Sequence, residues 1–125
     1  MDKALNLAAR LLMAQIFIIS GFGKITGYAG TLGYFGQMGL PMPGIVLPLV
    51  ILIELGGGLA LLFGIQTRWV AAILALFTVG SALIAHSDFS QQMQQIQFMK
   101  NLAITGGLLL FVRHGAGLPS VDREA

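Results

Sequence analysis

The segment "LPLVILIELGGGLALLFG", from Leu47 to Gly64, holds a single carboxylate, Glu54. Apart from Pro48, its neighbours are aliphatic, aromatic or glycine. An ionised carboxylate facing hydrocarbon costs at least about 2.5–3.5 kcal/mol on insertion scales, so Glu54 is expected to face protein, water or a partner. Protonation is the alternative, since it reduces that cost and turns the group into a donor. On a helix turning roughly 100° per residue, Gly57 and Gly58 follow Glu54 on the same face. A carboxylate above a glycine surface admits another helix or a flat ligand at close range.

Arg10 is the best partner for Glu54 on a count along the chain. It sits roughly 9 Å inside the first apolar span, which leaves about 6 Å of depth between it and Glu54 on an antiparallel neighbour. The same helix face carries Ala14, Phe17, Gly21 and Lys24. Such a pair can serve only as a lock on helix register, or it can handle protons or a ligand, as intramembrane ionisable groups often do. Both readings stay open.

A second polar group gathers toward the other membrane face: Lys24, Ser81, His86, Lys100 and Asn101, with Asp88 just beyond. Lysine and histidine can donate to a carbonyl, and asparagine can donate or accept. A quinone headgroup asks for that chemistry, with apolar helices beside it for the tail. The plainer alternative is interfacial snorkelling of Lys24 and Lys100. His86 and His114 fall at opposite ends of the spans and cannot jointly hold a haem or a metal, so no metal site is expected. With no cysteine in the chain, thiol catalysis, disulfides and thiolate-bound metals are excluded. No Ser–His–Asp set is discernible, and the glycines form no nucleotide-binding fingerprint. Any redox chemistry would need a diffusible cofactor or a partner subunit.

The elements that must position these residues are membrane helices. Apolar residues make up 56% of the 125 and charged ones 10%, against roughly 45–50% and about 25% in soluble domains. Four apolar segments, at about 4–22, 45–63, 69–85 and 98–112, each approach the roughly 20 residues that cross a bilayer. Buried helices of a soluble bundle would show broad polar faces, which these lack. A secretory leader is a poor reading of the first span, because Arg10 interrupts an overlong apolar run. The sequence therefore predicts an all-α membrane protein, a single antiparallel bundle of four transmembrane helices over residues 1–125.

"GIQTR" reads as a tight turn between the second and third spans. The connection "GKITGYAGTLGYFGQMGLPMPG" either lies along the membrane surface through its aromatic residues or is a plain covered loop. Ser87 or Asp88 can cap a helical turn in "HSDFSQQMQQIQ", and the tail "GLPSVDREA" reads as mobile. Lys3, Arg10, Arg68, Arg113 and Arg123 fall on the side of the termini, and Lys24 and Lys100 opposite, which predicts both termini in the cytoplasm. The net charge of +2 comes from scattered residues and forms no patch for nucleic acid.

Four stretches together resemble the DoxX family: "GFGKITGYAGT", "LPLVILIELGGGLALLFG" with the following "TR", the histidine that ends the third span, and "FMKNLAITGGLLL". The similarity covers nearly the whole chain in order. It implies a four-helix protein of the bacterial inner membrane, in a family named from subunits of a quinone-linked oxidoreductase, with other members linked to membrane redox or detoxification complexes. Lys24, Glu54, Gly57, Gly58, His86, Lys100 and Asn101 are the positions that match the family's motifs, and Arg10 fits its basic position in the first helix. The resemblance leaves activity open. An accessory subunit that binds a hydrophobic ligand such as quinone is the leading expectation, with a redox partner protein or self-association as its setting. A catalytic quinone-linked subunit and a small proton or solute pathway are the rivals.

Overall fold

A computed structural model describes residues 2–85, 92–117 and 120–122. Every regular element among them is helical: α1 (Asp2–Thr26), α2 (Tyr28–Gln37), α3 (Pro43–Ile51), a π-helical segment (Leu52–Gly56), α4 (Gly57–Phe63), α5 (Thr67–Ala85) and α6 (Gln92–His114). Pro43–Phe63 runs without a break, so four helices are long and apolar enough to cross a membrane. Many of their large apolar side chains point outward, Leu12, Trp69 and Leu76 among the most exposed. In water that arrangement would be costly; against lipid it is not, because acyl chains are as apolar as leucine.

The outer helices exceed their predicted bounds. α1 begins at Asp2 rather than near residue 4 and ends at Thr26, and α6 takes in the polar run Gln92–Gln97. Hydropathy misses such turns, because a polar residue on a helix end still completes the backbone hydrogen bonds. The first connection is not a plain loop over its whole length: Tyr28–Gln37 is a helix that follows α1 after a turn at Gly27. The caps proposed at Ser87 and Asp88 lie outside the described residues.

The core gathers Ala14 and Phe17 of α1, Leu61 of α4, Ala71, Leu74 and Ala75 of α5, and Leu108 of α6. Two glycines bring α1 against the second span. A Cβ at Gly21 would stand 2.9 Å from the Leu55 nitrogen, and one at Gly58 would stand 2.8 Å from the Ile18 side chain and 3.1 Å from its backbone nitrogen. Small residues at these points allow the backbones to meet, which is how membrane helices gain packing energy. α6 packs along α5 and touches α1 only lightly.

At the other end of the bundle, Gly64 closes α4 with φ +72°, its N–H reaching Leu61 at 3.2 Å while Ile65 reaches Ala60 at 2.8 Å. This is the Schellman pattern, and it favours a glycine in the left-handed conformation. Residues 120–122 then complete the turn, so this part of the expected mobile tail is held by backbone hydrogen bonds. Val121 and Asp122 donate their N–H groups to Phe63 at 3.0 Å and Gly64 at 2.8 Å. The Asp122 carboxylate accepts from the N–H groups of Gln66 at 2.6 Å and Thr67 at 2.9 Å. It thereby caps the N-terminus of α5 from a distant part of the chain, where the helix dipole also favours negative charge. Desolvation pushes the pKa of Asp122 up, yet the N–H groups of Thr67 and Gln66 and the charge of Arg10 together hold it below the usual carboxylate range.

Two predictions follow from this packing. Gly21→Ala and Gly58→Ala should each destabilise the bundle by about 1–3 kcal/mol through overpacking, whereas Gly23→Ala, with nothing within 4 Å of the added Cβ, should be neutral or stabilising in a detergent unfolding titration. Asp122→Ala should cost about 1 kcal/mol as a lost cap. Because the native carboxylate is the more acidic one, its contribution is complete above the ordinary value of about 3.9 and is lost as pH falls through the lowered native value. The difference in melting temperature between the two proteins should therefore vanish in strong acid and persist at neutral pH.

Candidate functional site

The contacts of α1 with the second span set the level of every charge. Gly21 lies opposite Leu55, Gly58 opposite Ile18, and a Cβ at Gly64 would collide with the Arg10 guanidinium. In that antiparallel register Glu54 faces the end of α1 that carries Lys24, and Arg10 lies roughly 15 Å further down, ten residues along the second span. The pairing expected between Arg10 and Glu54 is therefore not the one that forms. Lys24 Nζ stands 2.7 Å from Glu54 Oε1. The carboxylate is buried, with 8% of its side chain exposed, and the lysine stem covers it with 24% exposed.

Local structure helps to place Glu54. The residue sits within the π-helical segment, whose wider turn shifts the faces that follow relative to an unbroken α-helix. Such single-turn π segments occur frequently at functional sites. Four residues apart, Val46, Val50 and Glu54 share one stripe, and all three line a cavity of about 500 Å³. All four spans and α2 contribute to it.

Its polar lining consists of Lys24 and Glu54, Ser20 one turn before Lys24, Thr78 and Ser81 of α5, Gln97, Lys100 and Asn101 of α6, and Tyr34 of α2. Ile16, Phe17, Phe77, Ile84 and Ile104 are among the apolar walls, and Phe35, Met38 and Leu40 close it from the first connection. Asn101 ties α6 to α5 by donating its side-chain N–H to the Thr78 carbonyl at 3.3 Å. Thr105 and Thr78 turn their hydroxyls onto their own helices, to Asn101 at 2.8 Å and Leu74 at 2.7 Å. With one N–H engaged, the second donor of the Asn101 amide is left for the cavity.

The structure thus brings together Lys24, Glu54, Lys100 and Asn101. Gly57 and Gly58 do not line the cavity; they pack against Leu74 and against Ile18 and Phe17. Arg10, 1% exposed, belongs to the tail end, beside Asp122 and Ser120. His86 lies outside the described residues. Ser20, Tyr34 and Gln97 enter the lining without having been singled out. For two of them the signal was helical spacing: Ser20 precedes Lys24 by four residues and Gln97 precedes Lys100 and Asn101 by three and four. Among the described residues no group of histidine, aspartate and glutamate is placed to hold a metal.

Four membrane-spanning helices around a buried ion pair and a polar-lined cavity define a small polytopic membrane protein with an internal site. The chain belongs to the DoxX family, which it matches over residues 5–87. It is 53% identical over 117 residues to the inner membrane protein YqjF of Escherichia coli strain K12, covering 94% of this chain and 88% of that one. It is 34% identical over 125 residues to the inner membrane protein YphA of the same organism, across 96% and 89% of the two chains. Over 78 residues, 62% of this chain and 57% of the other, it is 35% identical to the Bacillus subtilis strain 168 protein named "Putative oxidoreductase CatD". No solved structure matches significantly. The protein is an integral component of the bacterial inner membrane, embedded in its lipid bilayer.

Removing one partner of a buried ion pair strands the other charge. Lys24→Met should therefore destabilise the protein by roughly 3 kcal/mol, while the double variant Lys24→Met/Glu54→Leu recovers much of the loss. Equilibrium unfolding of the two singles and the double in one detergent checks this, and strict additivity of the two singles would refute it.

Proposed function

We propose that the cavity is a binding site for a hydrophobic ligand with a carbonyl-bearing headgroup, of the quinone class, and that the protein acts as an accessory subunit of a membrane redox system. The observation that carries this reading is the composition of the cavity. Its polar groups cluster around the Lys24 and Glu54 pair, and the remaining wall is apolar. A volume of about 500 Å³ is of the size that takes an organic headgroup.

Lys24 spends one donor on Glu54 and keeps two, and Lys100 and Asn101 supply further donors from the facing helix. Glu54 accepts, holding the Lys24 ammonium in place instead of leaving it to snorkel toward water. A ring with two carbonyl oxygens can lie between α1 and α6 with one oxygen on each side. The name of the CatD relative is a further support for a redox setting. A catalytic quinone-linked subunit would use the same site, but no observation favours it over the accessory role.

Native mass spectrometry of protein in nanodiscs prepared from native lipid tests the proposal. A stoichiometric quinone is expected, with affinity for an added ubiquinone analogue lowered about tenfold in Lys100→Met, which removes a charged donor worth roughly 1.5 kcal/mol. Lys100 is exposed and outside the ion pair, so this variant should melt like the parent. Phospholipid alone, with no quinone bound at any added concentration, would overturn the reading.

A further inference from the structure

The cavity does not end at its polar lining. A second, shallower hollow of about 320 Å³ opens on the seam between α1 and α6, where Ala9, Leu12, Met13 and Ile16, with the polar Gln15 among them, face Lys100 and Ile104. Ile16, Lys100 and Ile104 line both spaces, so these three side chains form the boundary between them. The seam exists because α6 leans on α5 and meets α1 only lightly.

Beside the hollow, the terminal methyl of Met13 rests against Gly107, in space that a Cβ there would take. From Ile16 to Ala9 the hollow follows α1 for about 10 Å at the helical rise. It starts at the level of the polar headgroup site and continues along the middle of the span, where Leu12 is exposed.

We infer that the seam between α1 and α6 is the lateral entrance to the cavity from the bilayer, and that a bound ligand keeps its apolar tail there. This rests on the reading of the cavity as a headgroup site. Lys100 marks the junction, since it borders both the polar cavity and the seam. α2 and the segment after it border the cavity elsewhere, through Phe35, Met38 and Leu40. A headgroup attached to a long tail leaves by the seam.

The test is photolabelling in nanodiscs with a benzoquinone carrying a decyl tail that ends in a diazirine, read out by peptide mass spectrometry. The expected result is labelling on Ala9–Ile16 of α1 that excess unlabelled decyl-benzoquinone abolishes, and that is largely lost in Ala9→Trp while tail-less benzoquinone binds as before. Labelling that is competed away but maps to α2 or α3 would overturn the seam and leave the headgroup site standing. A phospholipid with a diazirine in its acyl chain serves as the second arm. If it labels the seam equally, and neither label is competed by benzoquinone, the hollow holds annular lipid and the inference fails. If no labelling anywhere is competed, the headgroup site itself falls, and the seam with it.

Discussion

A lysine and a glutamate 2.7 Å apart between two membrane-spanning helices set the terms for the rest of the bundle. Neither could stay charged in that position alone, since each would face a desolvation cost of several kcal/mol. Together they constrain the helices that carry them. α1 and the second span must meet at one register, and the side chains must converge on one space. The glycines at 21 and 58 allow that register, because the backbones there come too close for a β-carbon. The π-helical turn lies in the same stretch, so the carboxylate is aimed by backbone geometry as well as by its partner.

Once the pair is fixed, the cavity follows from how unevenly the helices pack. α5 is tied to α6 through Asn101 and Thr78 and through a shared apolar core. α1 is tied to the π-helical segment and to α4 through the glycines. These two halves meet closely around Leu61 and Leu74 and diverge toward Lys24, where α2 fills one side. The polar residues of all four spans then border a space that hydrophobic packing does not close. The opposite end is organised differently: Arg10 and Asp122 gather at the turn that Gly64 makes, and charge there serves to finish helix ends.

The span count, the membrane environment and the family were legible in the sequence because each depends on composition and on ordered segments. So was the convergence of Lys24, Lys100 and Asn101, which depends only on their shared distance from one membrane face. The pairing of charges was not. Counting depth from assumed span ends placed Arg10 within reach of Glu54, but α1 starts earlier and runs longer than its hydropathy suggests, and the contacts at Gly21 and Gly58 set another register. A π-helical turn carries no residue signature that would have exposed the shift. The role of Gly57 and Gly58 was half visible: their smallness predicted close approach, but whether a helix or a ligand comes near depends on a partner helix that a single segment does not specify. The tail was partly misread for a related reason. Its polar composition resembles that of a disordered end, and nothing local shows that Asp122 meets backbone N–H groups more than fifty residues away.

That long-range cap has a consequence for the order in which the protein is made. Residues 120–122 leave the ribosome after all four spans, so the second and third spans enter the bilayer with the turn between them still unfinished. Until the tail arrives, the first N–H groups of α5 can be satisfied only by headgroup water. The fold is therefore completed from its carboxyl end backward: the segment synthesised late fastens a junction laid down early, and the maturing chain passes through a stage in which its helices are inserted but its third span is not yet anchored at one end.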